Sequence, residues 1–224
     1  MPVMGAESVR IVRHWLALGL VPVGAVLSGL LLTAAPAATT IKLWPAIEQL
    51  YSSVEMEPPS ATHMTVCYGF VCRLRLTLVF TDAERTTITN LMNKGRASAA
   101  EERKAIQQVF VWFDHRVGRE VGTDKRVANA DVRSFDANHN FDCWDTTRNA
   151  ASLLLVLQEW NLLRHHRVSD PRYRGNILVG QLPHNTAVIK ETAPGGTSWV
   201  VDMWPTAFGQ VPDVMTLEKW LDEI

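Results

Sequence analysis

The chain has 224 residues, 47% of them hydrophobic, and its formal net charge at pH 7 is −1. This length and composition are typical of a single globular domain with a sizeable core, and they exclude an extended disordered chain. The near-neutral charge, with basic residues spread along the sequence, gives no electrostatic basis for a nucleic-acid partner.

The N-terminal segment has the pattern of an export signal or a membrane anchor. Two arginines and a histidine precede an uncharged apolar stretch, residues 15–38. The small residues on either side of Pro36 match a signal-peptide cleavage pattern, whereas the apolar stretch is also long enough to span a bilayer. We therefore predict that residues 1–40 are a signal peptide or an N-terminal inner-membrane anchor. Residues 41–224 would then form a domain that is periplasmic or exported.

Three cysteines follow this segment. Cys67 and Cys72 are close enough in sequence to form a short-loop disulfide in an oxidising compartment, which leaves Cys143 unpaired. The alternative is that Cys143 pairs with one of the other two and the third thiol is buried. An odd cysteine in an exported domain calls for a function, and nucleophilic chemistry is one candidate.

The first half of the domain is predicted to contain helices and one clear strand. A short helix is expected within residues 41–53, followed by a linker at residues 55–63. Alternating apolar residues at 73–80 indicate a half-buried strand. Capping-box patterns at 81–84 and 98–101 predict the starts of two helices, and the second helix carries an apolar stripe that we assign to the core.

The second half is predicted to be a long loop, an apolar helix and a small sheet. Residues 122–142 are polar and lack periodicity, and the helix follows from about residue 144. Residues 169–175 have turn composition. Short apolar segments then occur at 176–180, 184–191 and 198–204, and the last two flank a glycine-containing turn that is typical of a hairpin. Helices followed by an antiparallel sheet predict an α+β fold.

Cys143 is predicted to lie at the N-terminus of the apolar helix. The free N–H groups and the helix dipole favour an anion there, and the thiolate is the nucleophilic form of cysteine. A cysteine nucleophile needs a base and usually a third group that orients the base. His184 begins one strand of the predicted hairpin and Asp202 lies near the end of the other, so antiparallel pairing brings the two side chains together.

Cys143 at a helix start, His184 in LPHNTAVI and Asp202 in SWVVDMW together resemble the transglutaminase-like branch of the papain-like cysteine hydrolases, whose order is Cys, His, Asp. The resemblance covers roughly residues 138–205. It implies a papain/transglutaminase-like α+β core in which the cysteine helix packs on an antiparallel sheet. It also implies a nucleophile at Cys143, a general acid/base at His184 and an orienting carboxylate at Asp202.

The implied chemistry is acyl transfer from peptide-like amide bonds of a peptide or protein substrate, through a thioester that water or an amine resolves. The Cys143 backbone N–H and a second donor, for which Asn138 or Asn140 is the candidate, would stabilise the oxyanion. We expect Asp142 to cap the helix and Asp145 to lie in its first turn. Both carboxylates oppose formation of the thiolate.

Other interpretations stay open. Cys143 has an ordinary structural explanation as a buried inert thiol, His184 as a surface histidine and Asp202 as a turn carboxylate. The domain would then be a catalytically silent transglutaminase-like binding module near the membrane. A metal-binding protein is a weak third choice, because the histidines do not pair with Cys or acidic residues at ligand spacing. We predict no metal and no cofactor.

Overall fold

The computed structural model of the protein describes residues 41–135 and 138–223. The predicted signal peptide or anchor, residues 1–40, lies outside the described residues. Within the described ranges, no helix has the length and hydrophobicity needed to cross a membrane. The helices and strands, in chain order, are α1 (Pro45–Ser52), β1 (His63–Tyr68), β2 (Leu74–Val79), α2 (Asp82–Asn93), α3 (Ala99–Val121), α4 (Cys143–Glu159), β3 (His166–Arg174), β4 (His184–Glu191), β5 (Ser198–Asp202), β6 (Asp213–Thr216) and α5 (Leu217–Asp222).

The strands form two antiparallel sheets. β1 and β2 pair as a hairpin, and the second sheet has the order β3-β4-β5-β6. Helix α4 contacts β1 of the hairpin as well as β3 and β4 of the larger sheet. Its residues from Asp145 to Leu157 are all buried. The protein therefore has the α+β class predicted from its sequence, with the cysteine helix at its centre.

Helices α2 and α3 begin where the capping patterns predict. Thr81 Oγ1 accepts the N–H of Glu84, and the Glu84 carboxylate accepts the N–H of Thr81, which completes a capping box. Ser98 Oγ accepts the N–H of Glu101. Helix α3 ends at Gly122, whose left-handed backbone (φ 79°) is tolerated because glycine has no Cβ. The predicted apolar stripe of α3 is buried.

Two strand predictions were incomplete. Strand β1 was not predicted, and it starts at His63, where the predicted linker ends. Residues 169–175 were predicted as a turn, but most of them belong to β3, which accommodates Asp170 and Pro171 in a bulge. Because β3 is an edge strand, a proline there does not interrupt the interior of the sheet.

The apolar segment at 176–180 does not form a strand. This part of the β3–β4 connection contains a 3₁₀ turn, Ile177–Val179, and the side chains of Leu178 and Val179 are exposed. An apolar run forms a strand only where a neighbouring strand can pair with it. Here β3, which precedes this segment, pairs with β4, so residues 176–180 only connect the two strands.

The β4–β5 hairpin has a different environment on each face. Ala187 and Ile189 belong to the same core as the leucines of α4. Val188 packs instead with Val200 and Trp220, the latter from α5. Neighbouring residues of a strand point to opposite faces. His184 therefore lies on the face of Val188 and Trp220, and Asn185 lies on the face that packs against α4.

Candidate active site

Cys143 is the first residue of α4, and its thiol is free and partly exposed. Asp142 precedes it as the N-cap, and its Oδ1 accepts the N–H of Asp145 at 2.7 Å. The helix begins here because this carboxylate satisfies an N–H group that has no partner within the helix. The thiol therefore lies at the positive end of the α4 dipole.

A disulfide-closed loop lies against this helix start. Cys67 and Cys72 form the disulfide that the sequence predicted. Residues 69–72, which we call the 69–72 loop, all have positive φ, between 51° and 74°. A succession of such residues turns neighbouring N–H groups toward one side and creates an anion-binding surface.

The 69–72 loop binds the two carboxylates that flank Cys143. The N–H groups of Phe70 and Cys72 donate to the Asp145 carboxylate at 2.9 and 2.6 Å. The N–H of Val71 donates to Asp142 at 2.8 Å. These three bonds fix the N-terminus of α4 and offset part of the negative charge beside the thiol.

The side chains of His184 and Asp202 are in contact. His184 Nε2 lies 2.5 Å from Asp202 Oδ2, and both side chains are buried. In the hairpin register, His184 is the diagonal neighbour of Asp202 on the same face of the sheet. Asp202 also accepts the indole N–H of Trp220 at 3.0 Å and the backbone N–H of Trp204 at 3.2 Å. These donors stabilise a buried carboxylate that holds the imidazole by Nε2.

Two tryptophan rings enclose the His184 imidazole. The centroids of Trp204 and Trp220 lie 4.6 and 5.4 Å from the imidazole centroid. The Trp204 ring is itself fixed, because its indole N–H donates to the Ala130 carbonyl at 2.9 Å. The ring surfaces keep water away from the His184–Asp202 hydrogen bond, and low local polarity strengthens such a bond.

Helix α4 brings Cys143 to the beginning of β4. Thr147, one helical turn after Cys143, donates its hydroxyl to the Asn185 carbonyl at 2.9 Å. The Asn185 N–H is close enough to the thiol to favour its ionised form, and the Asp202 charge is close enough to oppose it. Among the described residues, no hydrogen bond joins the Cys143 sulfur to the His184 ring, and His184 Nδ1 is buried without a partner.

The surroundings of Cys143 disfavour its thiolate. Burial raises the pKa of Cys143 to about 12, and the negative charges of Asp142 and Asp202 act in the same direction, while two backbone N–H groups oppose the rise. Burial and the Asp142 charge also raise the pKa of Asp145 to about 7. The thiol is therefore neutral near pH 7 in this arrangement. A positive charge beside the sulfur, such as that of a protonated imidazole, is what would lower the pKa of Cys143.

The two asparagines predicted as oxyanion donors have other contacts. Asn138 is exposed, and its Oδ1 accepts a hydrogen bond from Arg73 at 2.6 Å. Asn140 is buried, and its Oδ1 accepts the N–H of Val127 at 3.0 Å. Over the described ranges, neither side chain forms a hydrogen bond with Cys143. The structure thus gives both residues a role in holding the loop that precedes α4.

An open cleft of about 300 Å³ lies next to His184. Its lining includes Gly175, Gly180, Leu182 and Trp204. Leu182 is 77% exposed, so the rim of the cleft is apolar where it meets solvent.

Several residues of the site were not predicted from the sequence. Trp204 follows Asp202 by two positions. An aromatic residue at the end of the predicted strand could have indicated a contact with the His184 ring. Trp220 lies in the last helix, and its contact with Asp202 depends on packing between distant segments. Asn185 follows His184 directly, and nothing in its sequence context distinguishes it.

Comparison of the chain with models of known protein families, with curated proteins and with solved structures finds no match in any of the three. The candidate site therefore rests on the geometry of this chain alone. In the part of the chain that the structure describes, no group of three or more His, Cys, Asp and Glu residues is arranged to hold a metal ion.

Proposed function

We propose that the domain is a cysteine-dependent hydrolase or acyltransferase with a papain/transglutaminase-like core, which acts on peptide-like amide bonds. Cys143 is the nucleophile, His184 the general acid/base and Asp202 the orienting carboxylate. The observation that carries the proposal is the buried His184–Asp202 hydrogen bond, located where α4 meets the start of β4. We place this activity in the periplasm or outside the cell, with residues 1–40 as signal or anchor.

The orientation of the imidazole supports this assignment. With Nε2–H donating to Asp202, the remaining nitrogen of His184, Nδ1, carries a lone pair and is the atom available to accept a proton. It is buried and has no partner among the described residues. A base with a free lone pair at the start of β4, the strand whose second residue contacts α4, supports a role in nucleophilic catalysis.

The reaction follows from these roles. The Cys143 proton moves to His184 Nδ1, and the sulfur forms a bond to the carbonyl carbon of the substrate amide. The C–N bond then breaks, and the leaving amine takes the proton from His184. Water or a second amine attacks the thioester, with His184 again as base, and Cys143 is released as a thiol. Catalytic hydrogen bonds are commonly long in free enzymes and shorten when substrate binds, as a contact between Cys143 and His184 requires here.

Two observations favour a second candidate, a catalytically silent binding module. The pKa of Cys143 is raised to about 12, and its thiol has no hydrogen bond to His184 in the described part of the chain. In this interpretation Cys143 is an inert thiol, and the cleft beside His184 binds a peptide without chemistry.

The pH dependence of Cys143 alkylation by iodoacetamide distinguishes the two candidates. A protonated His184 favours the thiolate, so we expect the wild-type rate to persist to lower pH than the rate of His184→Ala. Asp202→Asn should weaken this difference without abolishing it. His115→Ala, which removes an exposed histidine of α3, is the control and should leave the curve unchanged. Superimposable curves for wild type and His184→Ala would reject the catalytic pair in favour of the binding module.

A further inference from the structure

Asn185 is a buried amide whose hydrogen-bonding capacity is unused. The residue is 3% exposed, and neither Oδ1 nor Nδ2 has a hydrogen-bond partner among the described residues. An unsatisfied buried polar group destabilises a fold, and an apolar residue of the same shape would avoid this cost. The presence of an amide here therefore calls for a partner that binds only at some stage of function.

The position of Asn185 indicates what this partner is. Asn185 lies on the same face of β4 as Ala187 and Ile189, which pack in the core with α4. Its carbonyl accepts the hydroxyl of Thr147, one helical turn after Cys143. The amide side chain is thus on the side of the sheet that carries the start of α4, whereas the His184 ring is on the side of Trp220.

We propose that Asn185 supplies the second donor of the oxyanion site, through Nδ2–H, beside the backbone N–H of Cys143. This inference rests on the proposed function. When the sulfur of Cys143 bonds to the carbonyl carbon, the π electron pair of the C=O bond moves onto oxygen, and the two N–H groups donate to that oxyanion. No proton is transferred to or from Asn185. When the intermediate collapses, the pair returns to the C=O bond and the leaving group departs with the proton from His184.

Asn185 suits this role better than the two asparagines suggested by the sequence. The bonds that Asn138 Oδ1 accepts from Arg73 and Asn140 Oδ1 accepts from the N–H of Val127 fix the orientation of both amides, so turning either amide toward an oxyanion would break an existing bond. In contrast, both ends of the Asn185 amide are free, so the group can present Nδ2 without breaking an existing bond. A donor held in a buried, water-excluded position is also the kind that stabilises a developing negative charge most strongly.

Two reagents that differ in their transition states test the proposal on the whole protein. Acylation of Cys143 by para-nitrophenyl acetate passes through an oxyanion, whereas alkylation by iodoacetamide does not. We expect Asn185→Leu, which keeps the approximate volume and the backbone N–H, to slow acylation by about 100-fold. Alkylation should be unchanged, and the melting temperature should not fall, because an unsatisfied polar group is replaced by an apolar one.

Thr123→Val is the matched control, because Thr123 Oγ1 is also buried and unpartnered but lies at the end of α3. It should leave both rates unchanged. Equal effects of Asn185→Leu on acylation and alkylation, or no effect on either, would overturn the oxyanion role. This outcome is separate from the fate of the proposed function, which depends on whether His184→Ala changes the pH dependence of alkylation.

Discussion

At the residue scale, Asp142 has two effects that oppose each other. Its side chain caps α4 and also accepts the N–H of Val71, so it fixes the position of Cys143. Burial makes the largest contribution to the raised pKa of Cys143, and the negative charge of Asp142 makes the second largest. Asp142 therefore orders the N-terminus of α4 but also disfavours the thiolate of Cys143.

Replacing this charge separates the two effects. Asparagine is as good an N-cap as aspartate, so Asp142→Asn should keep α4 capped through its amide oxygen, at the loss of the bond from the Val71 N–H, while removing a negative charge beside the thiol. The pKa of Cys143 should fall, and the pH–rate curve for iodoacetamide should move to lower pH, with faster alkylation near pH 7. A curve that stays in place or moves to higher pH would contradict the assigned effect of Asp142.

Glu102 shows how the same protein satisfies a buried carboxylate away from the site. Its oxygens accept the backbone N–H groups of Arg164, His165 and His166 and the His166 Nδ1–H, at 2.7 to 3.1 Å. Burial opposes ionisation, but these hydrogen bonds outweigh it and hold the pKa of Glu102 below its usual 4.5. A carboxylate with a depressed folded-state pKa contributes stability above its unfolded pKa, and this stability is lost as the pH falls through the folded value.

We therefore expect Glu102→Gln to lower the unfolding free energy at pH 7 by about 3 kcal/mol, because a neutral amide replaces a buried carboxylate that accepts four N–H groups. The difference from wild type should shrink as the pH falls below 4.5, where the unfolded carboxylate becomes protonated, and it should be lost below the lower pKa of the folded carboxylate. Urea unfolding at pH 7 and at a pH below 4.5 measures the difference in unfolding free energy between the variant and wild type. Glu101→Gln is the control, since its ion pair with Lys104 is exposed and should contribute less than about 1 kcal/mol. A constant difference at all pH values would exclude the assigned charge effect.

At the element scale, the sequence predicts structures whose determinants are local. The helix starts at Thr81 and Ser98 follow from side chains three residues from their partners. The contact between His184 and Asp202 follows from one hairpin and its register. These features could be predicted because the interacting groups belong to one helix turn or to adjacent strands.

Other elements depend on contacts between distant segments and were missed. Strand β3 tolerates Pro171 only because it lies at the edge of its sheet. The 69–72 loop bonds to carboxylates that lie more than 70 residues further along the chain. The unused amide of Asn185 is invisible in the sequence, because a missing partner is a property of the folded surroundings.

The disulfide belongs to this same scale, because it closes the 69–72 loop that forms hydrogen bonds with the start of α4. Cys67→Ala combined with Cys72→Ala should lower the unfolding free energy by about 2 kcal/mol. It should also move the alkylation curve of Cys143 to higher pH, since the Asp142 charge beside the thiol would be less well compensated when its bond from the Val71 N–H weakens.

The effect on the curve needs a control for general loss of stability. Thr81→Ala removes the capping box of α2, which should cost about 1 kcal/mol, and it does not touch α4. This variant should leave the alkylation curve in place. If the disulfide variant also leaves the curve in place, the loop has no electrostatic influence on Cys143.

At the scale of the whole molecule, two independent features indicate the same compartment. The basic residues and apolar stretch within residues 1–40 match an export signal or anchor. The disulfide between Cys67 and Cys72 is of a kind that persists in oxidising compartments. The location outside the cytoplasm stays a prediction, because residues 1–40 lie outside the described ranges.

A reporter that is active only after export tests this location. Residues 1–40 fused to the reporter should give activity, because the apolar stretch directs the fusion across the inner membrane. Leu27→Arg combined with Leu31→Arg should abolish it, since two charges within the stretch oppose membrane insertion. A fusion that accumulates in the cytoplasm without activity would refute the prediction.

The closeness of Cys67 and Cys72 also matters for how the chain oxidises during folding. Three cysteines allow three different single disulfides, and two of these would consume Cys143. Short loops close more readily than long ones, so the pair separated by five positions forms first, before the domain has packed. Oxidative folding thereby removes the two competing thiols early and leaves the Cys143 thiol without a partner for mispairing. In a purified sample, the number of titratable thiols per unfolded molecule should be one, and a mixed-disulfide subpopulation should be minor.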